Sequence, residues 1–209
     1  MGAWGSYYQL GSGFRVMPTS PDTDVMEAYA VIGIKRELQY HGFQKHLGFA
    51  PYFGLAAENN TKAFQKHVGL QVDGVVGRIT AKALFKGRVG EVELAQQIPN
   101  HLLCKLIALE SGYDPGAIGS LDPLDHGLLQ INLHFHPDVS EEQSATPSFS
   151  IPWGGKQLAA AFGSFNDWDA AVASWNVGYV AARNWLNAGK PDDGSTASKY
   201  VKLVKAQTC

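Results

Sequence analysis

The sequence predicts a mainly α-helical protein. Apolar residues recur at near-helical spacing in three separate stretches, residues 25–40, 102–109 and 167–185. Glycine, proline, asparagine and aspartate, which end helices and form turns, stand between these stretches. A chain of 209 residues is long enough to bury a sizeable core. We therefore expect one or two helical domains.

Composition and charge exclude several classes of partner. The formal net charge is −2 at pH 7, so no broad basic field predicts nucleic-acid binding. No stretch is apolar and long enough for stable membrane insertion. Because the sequence contains no evident interface pattern, we expect a monomer.

The two cysteines do not form a disulfide framework. Cys104 lies inside an apolar helix and is interpreted as a buried thiol, whereas Cys209 is expected to be exposed. The sequence does not decide whether the two cysteines form a disulfide bond.

The first 24 residues are rich in Gly, Tyr, Ser and Pro and are predicted to form a poorly ordered leader. Residues 25–86 are predicted to form a compact helical module. Its second helix is expected to start near Asn59 or Asn60, and its third near Arg78 or Ile79. Asp73-Gly74 is predicted to form a turn. Residues 87–94, loosened by two glycines, are predicted to be a linker.

Residues 61–84 carry a motif that resembles the small three-helix peptidoglycan-binding domain of cell-wall hydrolases. The resemblance implies that peptidoglycan is the partner of this module. Phe64 and Leu84 are expected to be core residues, and a groove near Asp73 is the candidate contact site. The matching positions are Thr61, Phe64, Gln65, Gly69, Leu70, Asp73, Gly74, Gly77, Thr80 and Leu84.

The stretch 102–110 is predicted to be a buried helix that ends in a carboxylate, Glu110. The negative pole of the helix dipole and the apolar neighbours both favour the protonated carboxyl. A general acid near neutral pH requires that form, so Glu110 is predicted to be the catalytic acid. The alternative is a helix-end glutamate that points into solvent.

Glu110-Ser111 is followed by Asp114-Pro115 and then by a Gly-Leu-Leu-Gln-Ile-Asn run that includes Gln130 and Asn132. This pattern resembles the superfamily of lytic transglycosylases and goose-type lysozymes. The resemblance implies a lysozyme-like helical catalytic domain over residues 95–209 that cleaves the β-1,4 bond between MurNAc and GlcNAc. Lytic transglycosylation would leave 1,6-anhydroMurNAc ends, with Glu110 as acid and base and no cofactor.

Other residues of this domain are implied as substrate contacts. Ser111 and Gln130 would position Glu110 or hold muramic groups, and Asn132 is a weaker candidate. Ala173–Gly178 resembles the Ala-Tyr-Asn-Ala-Gly element of the superfamily, with Trp175 in place of the tyrosine and Asn176 placed for substrate amides. The alternative for Trp175 is a core aromatic residue. Tyr200 would supply the missing hydroxyl group.

Two rival functions stay open. A hydrolytic muramidase would use Asp122 or Asp125 to activate water, although both aspartates are also plausible turn formers. A non-catalytic wall-binding or virion module is the other rival. His126, His134 and His136 raise the question of a zinc site, but their spacing favours a place at the rim of a cleft, and no metal is expected.

The N-terminal residues have neither a basic start nor an apolar run, so no secretory signal peptide is predicted. This pattern is expected of a bacteriophage endolysin, an antimicrobial, bacteriolytic enzyme that stays in the host cytosol until it is released to the cell wall. A mature chain whose signal has been removed would look the same.

Overall fold

The computed structural model describes residues 21–48 and 50–209 and is mainly helical, as predicted. Most of the predicted leader lies outside the described residues, and its last four residues belong to the first helix. In chain order the elements are α1 (Pro21–Tyr40), α2 (Leu55–His67), α3 (Arg78–Ala95), α4 (Leu102–Glu110), β1 (Asp125–His126), β2 (Ile131–Asn132), α5 (Glu141–Ala145), α6 (Pro147–Phe165), α7 (Trp168–Asn187) and α8 (Thr196–Ala206). No helix in this described part is long and apolar enough to cross a membrane.

The chain divides into two compact units. Within the described residues, the first unit takes the chain from the start of α1 to Arg88, together with Glu110–Ile151. The second consists of Val89–Leu109 and Pro152–Cys209. Within the described residues, three helices contribute residues to both units: α3, α6 and α4, whose last residue Glu110 belongs to the first unit.

A buried glutamine organises the turn that follows α2 in the first unit. The Gln65 side-chain nitrogen lies 2.7 Å from Asp73 Oδ1, 3.0 Å from the Val75 carbonyl oxygen and 3.1 Å from Thr80 Oγ1. Its side-chain oxygen accepts from the backbone N–H groups of Asp73 and Gly74. The Val75 N–H also donates to Asp73 Oδ1. Asp73 therefore builds this turn and ties it to α2, which accounts for much of the motif predicted from sequence.

Helix α2 begins at Leu55, several residues before the predicted start at Asn59 or Asn60. Asn60 is not the N-cap but a buried residue inside the helix. Its side chain accepts from the Lys45 N–H at 3.1 Å and donates to the Lys45 and Ala56 carbonyl oxygens at 2.8 and 2.7 Å. Those bonds satisfy the amide, which offsets the weak helix preference of asparagine.

The segment predicted as a linker, residues 87–94, is helical and belongs to α3. Gly87 and Gly90 each weaken a helix by about 1 kcal/mol relative to alanine. The helix continues because tertiary contacts hold it. Arg88 pairs with the fully buried carboxylate of Glu37 at 3.0 Å, and its guanidinium lies 4.5 Å from the centre of the Tyr40 ring.

Residues 141–145 form the short helix α5 just before α6. The Ser140 side chain accepts from the Gln143 N–H, and the Gln143 side chain accepts from the Ser140 N–H, which forms a capping box at the start of α5. Helix α1 packs closely here. A side chain at Gly33 would lie 2.7 Å from the Pro147 ring and 2.9 Å from the Ala145 carbonyl oxygen.

The second unit is built around α7 and α8, which pack against each other. Asp167 caps the start of α7 by accepting from the Ala170 N–H at 2.9 Å, and Lys190 pairs with Asp167 at 2.8 Å. The rings of Phe162 and Trp168 stack with their centres 4.2 Å apart.

A disulfide bond joins Cys104 in α4 to Cys209, with the two Cα atoms 5.8 Å apart. The interpretation of Cys104 as a buried thiol was therefore wrong. The residue is buried, with an exposed fraction of 3%, but as half of a cystine. The bond closes a loop with a sequence separation of 105 and anchors the end of the chain to α4.

We expect Cys209→Ser to lower the free energy of unfolding of the oxidised protein by about 2–4 kcal/mol, because a bridge across a long loop restricts the unfolded chain. Urea denaturation monitored by circular dichroism would measure this difference. A reductant should destabilise the parent protein and leave Cys209→Ser unchanged. Equal stability of the two oxidised proteins would contradict the prediction.

Candidate active site

Helix α4 carries Glu110 as its last residue, and its carboxyl-bearing side chain is partly exposed. The helix face formed by Leu103, Leu106 and Ile107 is fully buried. Glu110 therefore stands at the negative end of the helix dipole and next to apolar packing, as the sequence predicts.

A second glutamate fixes the other end of α4. Glu93 is 4% exposed, and its carboxylate accepts three backbone N–H groups. Oε2 accepts from His101 at 2.9 Å, and Oε1 accepts from Leu103 at 2.9 Å and Cys104 at 3.2 Å. These bonds satisfy N–H groups that the first turn of a helix leaves without partners, and the negative charge suits the positive helix end.

The residue after Glu110 connects α4 to the Gly-Leu-Leu-Gln segment. The Ser111 hydroxyl donates to the Leu128 carbonyl oxygen at 2.9 Å and accepts from the Tyr113 N–H at 3.2 Å. Tyr113 is 1% exposed and adopts a φ of 75°, a conformation that is unfavourable for a tyrosine. Ser111 therefore holds a tight, buried turn directly beside the predicted acid.

The polar loop after this turn is held by backbone contacts and small residues. Asp114 Oδ1 accepts from the Gly116 N–H at 2.9 Å and so stabilises a turn in this loop. The Gly127 N–H donates to the Ala117 carbonyl oxygen at 2.8 Å. Gly127 has a φ of 74°, and any side chain there would overlap the Ser144 carbonyl group. This position of the motif therefore requires glycine.

Gln130 contributes its amide to the same loop. Its side-chain nitrogen lies 3.0 Å from the Gly127 carbonyl oxygen and 3.4 Å from that of Ala117. Its backbone has a φ of 48°. Gln130 thus stabilises the segment that Ser111 joins to the end of α4.

Asn132 brings the two loop aspartates together. Its side-chain nitrogen donates to Asp122 Oδ2 at 2.9 Å and to Asp125 Oδ1 at 2.8 Å. Its side-chain oxygen accepts from the backbone N–H groups of His134 and Phe135. Every polar atom of this amide is therefore engaged within the loop, where β1 pairs with β2 through Asp125 and Asn132.

The two aspartates differ in electrostatic environment. Hydrogen bonds from the Leu124 N–H and then from Asn132 lower the pKa of Asp122. Burial raises the pKa of Asp125, and the nearby Asp122 charge adds to this, although the bond from Asn132 opposes it. Asp122 is therefore the more firmly ionised of the pair.

The three histidines do not form a common cluster in the described residues, where no group of three or more His, Cys, Asp or Glu side chains could hold a metal ion. His126 is buried, and its Nε2 lies 2.8 Å from the Pro123 carbonyl oxygen. His134 and Phe135 pack edge to face, with ring centres 5.1 Å apart.

The remaining predicted site residues belong to the second unit. Trp175 is partly exposed and packs edge to face against Trp153, with ring centres 6.3 Å apart. Asn176 is exposed, whereas Tyr200 in α8 is 7% exposed. Gly178 interrupts α7 with a φ of 75°, so the Trp175-Asn176 pair stands just before a kink.

Sequence reasoning missed two residues of these surroundings. Glu93 lies in an ordinary helical pattern, and nothing in its spacing indicates that it caps α4. Trp153 lies outside the element that drew attention to Trp175. Both act through tertiary contacts, so no local signal identifies them.

Comparisons with known families agree with the order of the two predicted domains. The family model for the Transglycosylase SLT domain matches residues 89–197, just over half of the chain. The family model for a peptidoglycan-binding domain matches residues 28–84. No curated protein matches the chain significantly.

The opposite pKa shifts of Asp122 and Asp125 predict opposite pH dependences of stability. Because the pKa of Asp125 is raised above its ordinary value of 3.8, its ionisation costs stability as the pH rises. Asp125→Asn should therefore gain stability relative to the parent between about pH 3 and about pH 7. Because the pKa of Asp122 is lowered, Asp122→Asn should lose relative stability over the same interval.

Chemical denaturation at several pH values would measure both trends, with each variant serving as the control for the other. The same direction of change in both variants would contradict the assigned environments.

Proposed function

Because the chain belongs to the Transglycosylase SLT domain family, we propose that it cleaves the β-1,4 bond between MurNAc and GlcNAc by lytic transglycosylation. Glu110 acts as the acid and then as the base. The observation that carries this proposal is the position of Glu110. Glu110 is a partly exposed residue that ends a buried helix, and Glu93 and Ser111 bond at the two ends of that helix.

The reaction needs one carboxyl group. Protonated Glu110 gives its proton to the glycosidic oxygen as the bond from that oxygen to C1 of MurNAc breaks. The resulting carboxylate stabilises the positive charge that develops at C1. It then takes the proton of the C6 hydroxyl group, and O6 forms a bond to C1. The products are a GlcNAc end and a 1,6-anhydroMurNAc end, Glu110 is protonated again, and no water is consumed.

The arrangement of the loop aspartates supports this proposal over hydrolysis. A muramidase requires a carboxylate that is available to activate water. Asp122 uses both oxygens within the loop, one for Leu124 and one for Asn132, and Asp125 also receives the Asn132 amide. Both groups therefore have a structural role that accounts for their presence.

The other predicted site residues divide into two proposed roles. Ser111, Gln130 and Asn132 hold the loop that follows Glu110, since their side chains form hydrogen bonds within this loop. Trp175 and Asn176, both accessible, contact the sugar chain through a ring face and an amide group. Tyr200 is mostly buried, and the role proposed for it is to supply a hydroxyl group to the substrate.

The N-terminal module adds affinity for the polymer. A peptidoglycan-binding domain is matched over residues 28–84, and peptidoglycan is the substrate that both domains share. We propose that the protein acts at the bacterial cell wall, with this module retaining it on the substrate.

Digestion of purified peptidoglycan, followed by mass spectrometry of the released muropeptides, tests the reaction type. We expect products with 1,6-anhydro ends, each lighter by one water than the corresponding reducing-end product. Products with ordinary reducing MurNAc ends would establish hydrolysis instead and would direct attention to Asp125, the aspartate whose pKa is raised.

Replacing the proposed acid tests the role of Glu110. Glu110→Gln should reduce the cleavage rate by about 10²–10⁴-fold, because an amide cannot donate and recover the proton. Binding to intact cell walls should not change. The matched control is Glu142→Gln, the same change at an exposed position in α5, which should keep full activity. Full cleavage by Glu110→Gln would remove Glu110 from the mechanism.

A further inference from the structure

A groove in the N-terminal module has the properties of a ligand site. It lies between the loop formed by residues 42–46 and the first half of α2, and it encloses about 660 Å³. Volumes of this order are typical of sites for small ligands. Its polar lining comes from Gln44, Lys45, His46 and Asn59, all exposed, while Phe43 and Ala63 contribute apolar surface.

The loop that forms one wall of the groove is held rigidly. Buried Asn60 binds both the N–H and the carbonyl group of Lys45. The Phe43 ring packs edge to face against Phe64, with ring centres 5.7 Å apart, and lies tilted against the His67 ring at the same separation. The backbone of the loop is thus fixed from α2, while the side chains of Lys45 and His46 extend to solvent. A rigid loop that presents polar side chains loses little entropy on binding a ligand.

The charges around the groove favour an anion. Lys45 supplies a positive charge, and His46 supplies another when it is protonated. Leu55 and Ala56 line the groove at the N-terminal end of α2, where the helix dipole is positive. The acidic group in this first turn, Glu58, is paired with Lys62 at 2.5 Å, which offsets its charge.

We propose that this groove binds the peptide stem of peptidoglycan through an ion pair between a free carboxylate of the peptide and the ammonium group of Lys45. The inference rests on the proposed function, since it assigns the wall contact to one surface of the binding module. Gln44 and Asn59 offer amide groups that match the peptide bonds of the stem. The peptide is favoured over the glycan strand because the Phe43 ring is already engaged by Phe64 and His67, so it is not an open platform for a sugar.

Calorimetric titration of the full chain with a synthetic stem tetrapeptide tests the proposal. The titration uses the Glu110→Gln background, so that cleavage of wall fragments in parallel assays does not interfere. Lys45→Glu should weaken binding of the tetrapeptide at least tenfold. A tetrapeptide analogue whose carboxylates are all amidated should bind the parent protein weakly. Its affinity should be no higher than that of the unmodified tetrapeptide for Lys45→Glu. The matched control, Lys86→Glu, makes the same charge change at an exposed position in α3 and should leave the affinity unchanged.

A second variant, Ala63→Trp, fills the groove without changing the charge and should also prevent binding. Its position on α2 is exposed, so the larger side chain meets no core packing. Unchanged binding by Lys45→Glu and Ala63→Trp would overturn the assignment. So would an equal loss in Lys86→Glu, which would indicate a general charge effect, or binding of peptide-free glycan strands in preference to the tetrapeptide.

The experiments distinguish a failure of the groove assignment from a failure of the proposed reaction. Lys45→Glu in the active protein should still produce anhydro ends from soluble glycan fragments. Normal tetrapeptide binding by a chain that yields only reducing ends would overturn the reaction type and leave the groove in place. Anhydro products from a protein that does not bind the tetrapeptide would overturn the groove assignment and support the reaction type.

Discussion

The position of the proposed acid depends on the hydrogen bonds that the buried carboxylate of Glu93 accepts at the start of α4. Helix α4 has nine residues, and a helix this short is not stable in isolation. Burying a carboxylate costs several kcal/mol unless its oxygens are satisfied. Three N–H groups at the start of α4 supply those bonds, each worth about 1.5–3 kcal/mol because one partner is charged. The charge and the helix therefore stabilise each other.

The other end of α4 is fixed by a different device. Ser111 bonds to the Leu128 carbonyl group, and Gly127 packs so closely against Ser144 that no side chain fits. Asn132 joins Asp122 and Asp125 and keeps the loop from opening through repulsion of the two carboxylates. Most of the polar residues in the motif are thus occupied in holding backbone. We propose Glu110 as the chemical group that this preorganised support positions, which is the arrangement that acid catalysis needs.

Local patterns in the sequence predicted two helices of the catalytic domain. The apolar run located α4, and Asp167 with the apolar spacing after it located α7. The capping box of Ser140 and Gln143 was equally local and could have revealed α5.

The features that the sequence did not predict depend on contacts between residues that are far apart in the chain. Helix α3 continues through two glycines because Arg88 reaches Glu37, 51 residues away in sequence. Helix α2 starts early because Asn60 bonds to a loop 15 residues before it. The bond between Cys104 and Cys209 and the cap from Glu93 likewise depend on contacts that spacing does not encode. In the candidate site, the motif identified Ser111 and Asn132 as candidates, and the structure shows that they bind backbone groups and neighbouring side chains.

The two proposed sites recognise chemically different parts of one polymer. In these proposals Glu110 acts on the glycan strand, whereas the groove lined by Lys45 binds the peptide stem. Neither site therefore competes with the other for the same group, and cleavage of a glycan bond does not destroy the ligand of the groove. A chain held by a stem peptide keeps the surrounding glycan bonds at high effective concentration, as expected for linked binding sites. Weak binding in the groove is then sufficient to retain the protein on the polymer. The polymer carries many copies of the stem peptide, so each contact needs only to slow dissociation of the protein.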